Sequence, residues 1–189
     1  MRKKAMFFSA LVSTLADPSI REGLFNAGRA GLNKLSRWLD TDGDGDVDQD
    51  DIDNIEAYLG VFSSLLGQVA AADGVVVEDE EIEAAEFFEQ VVFSEEGLLP
   101  PLVLGALSLK KTEVRQGLMD QFMNPEPIRK IVDFAKEHEL EESFYEDACI
   151  MANADKEIVE DEHDFLSEFA EMLNVNRIDR KRIERKYLA

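Results

Sequence analysis

The sequence predicts an all-α protein. Between punctuating residues nearly every segment carries apolar side chains at helical spacing, and no stretch alternates with the period of two that a half-buried strand requires. The punctuation is itself helical. Asp-Pro, Pro-Pro and Asn-Pro pairs are good helix openers, and Asp/Gly-rich turns close the segments before them.

The elements follow in order. Arg2, Lys3 and Lys4 precede an apolar run from Ala5 to Ala16 that has the outline of a short secretory signal. Ser9, Ser13 and Thr14 interrupt the run, and it is too short to span a bilayer, so a basic amphipathic arm able to lie on a membrane surface is the favoured reading, with a signal for export or a lipid-facing anchor as the alternative. Asp17-Pro18 opens a helix through Trp38, and an acidic loop from Asp40 ends it. A second helix then carries Ile52, Ile55, Leu59, Phe62 and Leu66 on one face. Asp73-Gly74 breaks that pattern before Glu80 to Val92. Pro100-Pro101 starts the next helix, and Asn124-Pro125 is expected to cap and open another that runs past Phe134. Helices from Glu141 to Ala152, Glu160 to Leu173 and Arg177 to Tyr187 complete the chain.

Composition narrows the function classes. A formal charge of −21 and a pI near 4.3 make the surface strongly anionic, which repels phosphate backbones and concentrates cations. Nucleic acid is therefore an unlikely partner. The charge is unevenly placed, because residues 1 to 39 hold seven Lys or Arg against two acids. The basic final helix, with Arg180, Lys181, Arg182, Arg185 and Lys186, is expected to pair with the acidic body. One cysteine, Cys149, excludes an internal disulfide, and two histidines, His138 and His163, cannot assemble a Cys/His zinc cluster. Cys149 reads as a buried small hydrophobe and His163 as a solvated helix residue. No nucleophile elbow, phosphate-cradling glycine loop or His-Glu-x-x-His motif is present, so an enzyme with a small-molecule substrate is not expected.

The loop from Asp40 to Asp51 has the pattern of an EF-hand, which presents oxygens at positions 1, 3, 5, 7, 9 and 12 and a glycine at 6. Asp40, Asp42, Asp44, Asp48 and Asp51 fill positions 1, 3, 5, 9 and 12; Asp46 offers its carbonyl from 7, and Gly45 stands at 6. Hard carboxylate oxygens in this number suit calcium, with magnesium the second candidate ion. Position 12 is commonly a bidentate Glu, and the shorter Asp51 is expected to reach an ion with one oxygen or to tighten the loop. The loop resembles the dockerin repeats of cellulosome proteins, which also carry Asp there.

An internal repeat pairs Ala72-Asp73-Gly74-Val75-Val76-Val77-Glu78-Asp79-Glu80 with Ala154-Asp155-Lys156-Glu157-Ile158-Val159-Glu160-Asp161-Glu162, and sets Phe87 opposite Phe169. These paired acidic turns resemble those of the tellurite-resistance TerB-like family, over roughly residues 58 to 175. The resemblance implies an all-helical cytoplasmic domain with a paired acidic, metal-binding site at Asp73, Glu80, Asp155 and Glu162. It also implies a role in linking membrane partners to soluble ones in stress or phage-defence systems, peripheral to the inner membrane. Lys156 departs from the pattern, standing where the first copy has glycine. From the residues alone two readings stay open. Either the pseudo-symmetry lets the four carboxylates share one ion, or Asp73 and Asp155 cap helices and the acids complement helix N-termini.

The expected organisation is thus an arm (1–17), an EF-hand-like helix-loop-helix (18–60) and a TerB-like helical domain (61–189). The expected function is a calcium-binding, non-enzymatic interaction protein with protein partners. The alternative is a structural subunit of a larger assembly in which calcium only stabilises the fold.

Overall fold

A computed structural model describes residues 48–73, 80–94, 99, 101–153 and 160–188. Among these the protein is all-α, as expected: α1 (Gln49–Asp73), α2 (Glu80–Val91), α3 (Pro101–Ser108), α4 (Lys111–Met123), α5 (Ile128–Glu137), α6 (Glu141–Ala152), α7 (Glu160–Leu173) and α8 (Arg177–Tyr187). The arm, the helix expected from Asp17 to Trp38 and the loop residues Asp40 to Asp46 lie outside the described residues.

α1 is the axis of the bundle, and α4, α5, α6 and α7 all pack on it. Its 25 residues explain this role. One face carries Tyr58, Leu59, Phe62, Leu65, Leu66 and Val69, all fully buried. The opposite face carries Gly60, Ser63, Ser64 and Gly67, small enough for α4 to approach closely. Ser63 donates to the Leu118 carbonyl at 2.6 Å, Gln68 to the Glu126 carbonyl at 2.8 Å, and Ser64 to Gln121 at 3.1 Å. Buried hydroxyls are thereby satisfied while the apolar face is removed from water. The window from Gln49 to Ala72 is long and apolar enough to cross a membrane, but 67% of it is buried inside the bundle. A core helix passes the same length and hydropathy test as a span. The boundary expected between residues 60 and 61 falls inside this one helix.

Aromatic side chains fill the centre. Tyr58 stacks on Phe62 with ring centroids 6.3 Å apart and tilts against Phe144 at 6.0 Å, and Phe134 stacks on Phe144 at 6.3 Å. Phe87 and Phe169, which the internal repeat sets opposite each other, are both core residues at 0% and 1% exposure.

Two boundaries differ from the sequence reading. The helix expected from Pro101 onward is broken in two at Leu109-Lys110, where Lys110 N–H turns back to the Leu107 carbonyl at 2.9 Å. Asn124 does not open the next helix. It closes α4, its N–H bonding the Asp120 carbonyl at 2.9 Å, and α5 starts only at Ile128 after Pro127. The cause is steric, because proline disfavours helical backbone in the residue before it. Pro125 therefore excludes Asn124 from a helix and Pro127 excludes Glu126. After α5 and α7 the chain reverses through left-handed residues, Glu139 and Asn174, with Leu140 N–H bonding the Ala135 carbonyl and Val175 N–H that of Ala170.

Candidate functional site

The described part of the acidic loop, residues 48–51, leads into α1. Asp48 precedes the helix, and its Oδ1 accepts from the N–H groups of Asp50 at 2.8 Å and Asp51 at 3.1 Å. Asp51 reciprocates, its Oδ2 accepting from the Asp48 N–H at 3.1 Å. This is a capping box, in which two side chains satisfy backbone donors that the first turn leaves unpaired. The side chains of loop positions 9 and 12 are therefore locked together by the helix terminus itself.

Asp51 is 3% exposed, and its Oδ1 is buried with no hydrogen-bond partner among the described residues. A carboxylate oxygen taken out of water without a partner is costly. The chemistry that relieves it is a donor or a cation, and the helix N-terminus already favours the negative charge. One Asp51 oxygen holds the box and the other is left over. Among the described residues no group of three or more His, Cys, Asp or Glu side chains is placed to hold a metal. The remaining loop carboxylates, Asp40, Asp42, Asp44 and Asp46, lie outside them.

The paired acidic turns are described at their rims. Asp73 is the last residue of α1 and Glu80 the first of α2. In the second copy α6 ends at Ala152 and α7 begins at Glu160, placing Glu162 in the first turn of α7, where it is buried at 3% exposure. Asp155 lies outside the described residues. Both copies thus join a helix end to an acidic helix start, and the described residues do not place the four carboxylates together.

The basic C-terminal helix docks on the acidic body. Arg182 bonds Glu142 at 3.0 Å, Lys186 bonds Glu146 at 3.0 Å, and the Tyr187 hydroxyl donates to Glu146 at 2.6 Å, all joining α8 to α6. Beneath them the Tyr145 hydroxyl donates to Glu184 at 2.9 Å and Arg180 Nε donates to the same oxygen at 2.7 Å. Burial opposes the charge on Glu184, yet the Arg180 and Tyr145 bonds hold its carboxyl below the usual range. Cys149 is fully buried, and burial pushes its thiol up to about 12, the state of an unreactive core cysteine. His163 is exposed, with 71% of its side chain accessible.

Sequence reasoning missed Asp147. It sits on α6 at 0% exposure, neither carboxyl oxygen has a hydrogen-bond partner among the described residues, and burial followed by the charge of Glu146 raises its pKa well above the carboxylate range. The signal available was register: Asp147 follows the core residue Phe144 by three and precedes the core residue Met151 by four, so it shares their face.

An open groove of about 710 Å³ runs between α2 and α4. Met119 and Met123 line it, flanked by Glu86 and Glu89 on one side and Lys111 and Arg115 on the other. Lys111 pairs with Glu89 across it.

No family model, curated protein or solved structure matches this chain.

Proposed function

We propose that this protein is a calcium-binding, non-enzymatic interaction protein, with the ion held by the loop from Asp40 to Asp51. The observation that carries this reading is the buried, unpartnered Oδ1 of Asp51 beside Asp48 at the head of α1. Four further carboxylates at ligand spacing in the sequence lead into that oxygen, and like charges so crowded repel unless a cation sits among them. Magnesium is the competing ion, disfavoured because it demands a near-ideal octahedron and sheds its waters reluctantly.

The acidic body is the proposed partner-binding surface, and the methionine-lined groove between α2 and α4 offers a protein partner an adaptable apolar floor between charged walls. The basic residues of the N-terminal arm supply a second contact, to a membrane surface or to a neighbouring protein. A staple role for the ion, as in a structural subunit, is favoured by one feature: the capping box roots the loop in α1, the helix on which the core is built. The resemblance of the paired turns to TerB-like proteins is consistent with either role.

Calorimetry of the full chain with calcium, and separately with magnesium, tests the reading. We expect one calcium per chain, and a melting temperature raised by about 5 to 10 °C at a hundredfold excess over Kd. Asp51→Asn and Asp40→Asn should each weaken binding by at least about tenfold, since ligand charge sets the affinity of such loops. Absence of heat with either ion would overturn the assignment.

A further inference from the structure

α8 carries six cations, and only one side of the helix uses them within the chain. Arg182 pairs with Glu142 and Lys186 with Glu146 on α6, while Arg180 pairs with Glu184 and bonds Ser167 of α7. The remaining three, Arg177, Lys181 and Arg185, stand four residues apart and so share a side of the helix, turned away from the buried Ile183. All three are exposed, and none makes a hydrogen bond or ion pair among the described residues. Ile178 lies among them and is 80% exposed.

α7 carries the complement. Glu160, Asp164 and Glu168 repeat at the same spacing, on the side of α7 opposite the buried Leu166 and Leu173. All three are exposed, and their one ion-pair contact among the described residues is His163 with Asp164, at 4.0 Å. Each row covers about 12 Å of helix at the ordinary rise per residue. The rows make no ion pair with each other inside the chain, although Arg180 ties α8 to α7 at 3.0 Å. The α6–α8 contact shows what such rows do when they meet: Glu142 and Glu146, four apart, take Arg182 and Lys186, four apart, both at 3.0 Å.

We propose that the outer row of α8 docks on the acidic row of α7 in a second copy of this chain, with Ile178 as the apolar contact between the cations. Each copy carries both rows, so a two-fold pair makes the contact twice. The net charge of −21 opposes every anionic partner, lipid or nucleic acid included, and so does not choose among them. Spacing does: an α-helix with acids four apart repeats in register with the cations, as α6 already does. Exposed ion pairs are individually weak, which makes this a transient association. Repulsion between the two bodies acts over distances beyond the Debye length of roughly 10 Å at 0.1 M salt, whereas pairs at contact lie inside it. Association is therefore strongest at intermediate salt.

Sedimentation equilibrium of the full chain tests this. At about 150 mM NaCl the average mass should rise with protein concentration toward that of a dimer, and about 1 M NaCl should reverse the rise. Arg177→Gln, Lys181→Gln and Arg185→Gln together should weaken association at least about fivefold. The control is Arg129→Gln, Lys130→Gln and Lys136→Gln on α5, which changes the net charge equally and should weaken it far less. Two charge reversals make the sharper test. Arg177→Glu, Lys181→Glu and Arg185→Glu should leave a monomer, and so should Glu160→Lys, Asp164→Lys and Glu168→Lys, although the second set lowers the net negative charge. Mixed together, the two variants should restore the dimer, because each row again faces its opposite. A wild-type chain monomeric at every salt concentration, equal loss in the α5 control, or no dimer on mixing overturns the proposal. Row-dependent flotation of a monomer on phosphatidylglycerol vesicles gives the row to a lipid surface and overturns it as well. If the α7 reversal fails to fold, the glutamine set against its α5 control still decides.

Discussion

A Cβ placed on Gly67 would lie 2.3 Å from the Phe122 carbonyl oxygen, and that oxygen belongs to the backbone of α4, which cannot turn aside. Gly67→Ala should therefore force α1 and α4 apart and cost about 1 to 3 kcal/mol, read as a lowered urea midpoint. Gly117, on the exposed side of α4, is the control: nothing lies within 4 Å of its added Cβ, and Gly117→Ala should stabilise by about 0.5 to 1 kcal/mol through helix propensity alone. The same scale separates what could be read of the candidate site from what could not. Asp48 and Asp51 stand out in the sequence by ligand spacing, and the structure shows them capping α1. Asp147 does not stand out, because an Asp following a Glu reads as part of a solvated charged face. Only its register with Phe144 and Met151 betrays a buried position, and an unpaired buried acid is rare enough that register alone invites the opposite reading.

At the scale of elements, the helices from Glu80, Glu141, Glu160 and Arg177 begin where apolar periodicity and acidic or Asn first turns place them. The missed boundaries have a shared cause. Leu107 through Lys111 contains no proline or glycine, so nothing local marks the break between α3 and α4, and the turn there is set by packing beyond the reach of a window of sequence. The start of α5 was marked, by Pro127, but Asn124 offered a cap that satisfies the same rules three residues earlier and instead serves the helix before it. Gly60 and Gly67 admit α4 against α1, a role that helix propensity alone does not reveal. Asn176 gives a test at this scale. Its side chain accepts from the N–H groups of Ile178 and Asp179 and so caps α8. Asn176→Ala should cost that helix about 1 kcal/mol, a roughly fivefold rise in local opening. Hydrogen exchange should show the change in residues 177 to 187 and leave the centre of α1 untouched, since among the described elements α8 packs chiefly on α6. Equal acceleration in both would mean that α8 and the core open together, as one cooperative unit.

For the whole molecule, the dominant quantity is the net charge of −21, and it acts on the body and on α8 with opposite signs. Self-repulsion within the acidic body destabilises the compact state, so screening it with salt should raise the melting temperature. The attraction of a helix bearing six cations for the same acids is weakened by that screening, so salt should loosen α8 while it firms the bundle. A cation held by the loop differs from both, because it neutralises charge at one place and at contact distance, where screening is least effective. Three titrations of the full chain separate these terms. With a chelator present, raising NaCl from about 20 to about 300 mM should lift the melting temperature by a few degrees. Calcium added at the higher salt should lift it further, and Asp51→Asn should abolish that second increment while leaving the first intact. If the variant loses both increments, Asp51 is supporting the fold through its capping box alone; if calcium adds nothing once salt is present, the ion acts on the molecule's charge as a whole and the loop does not select it.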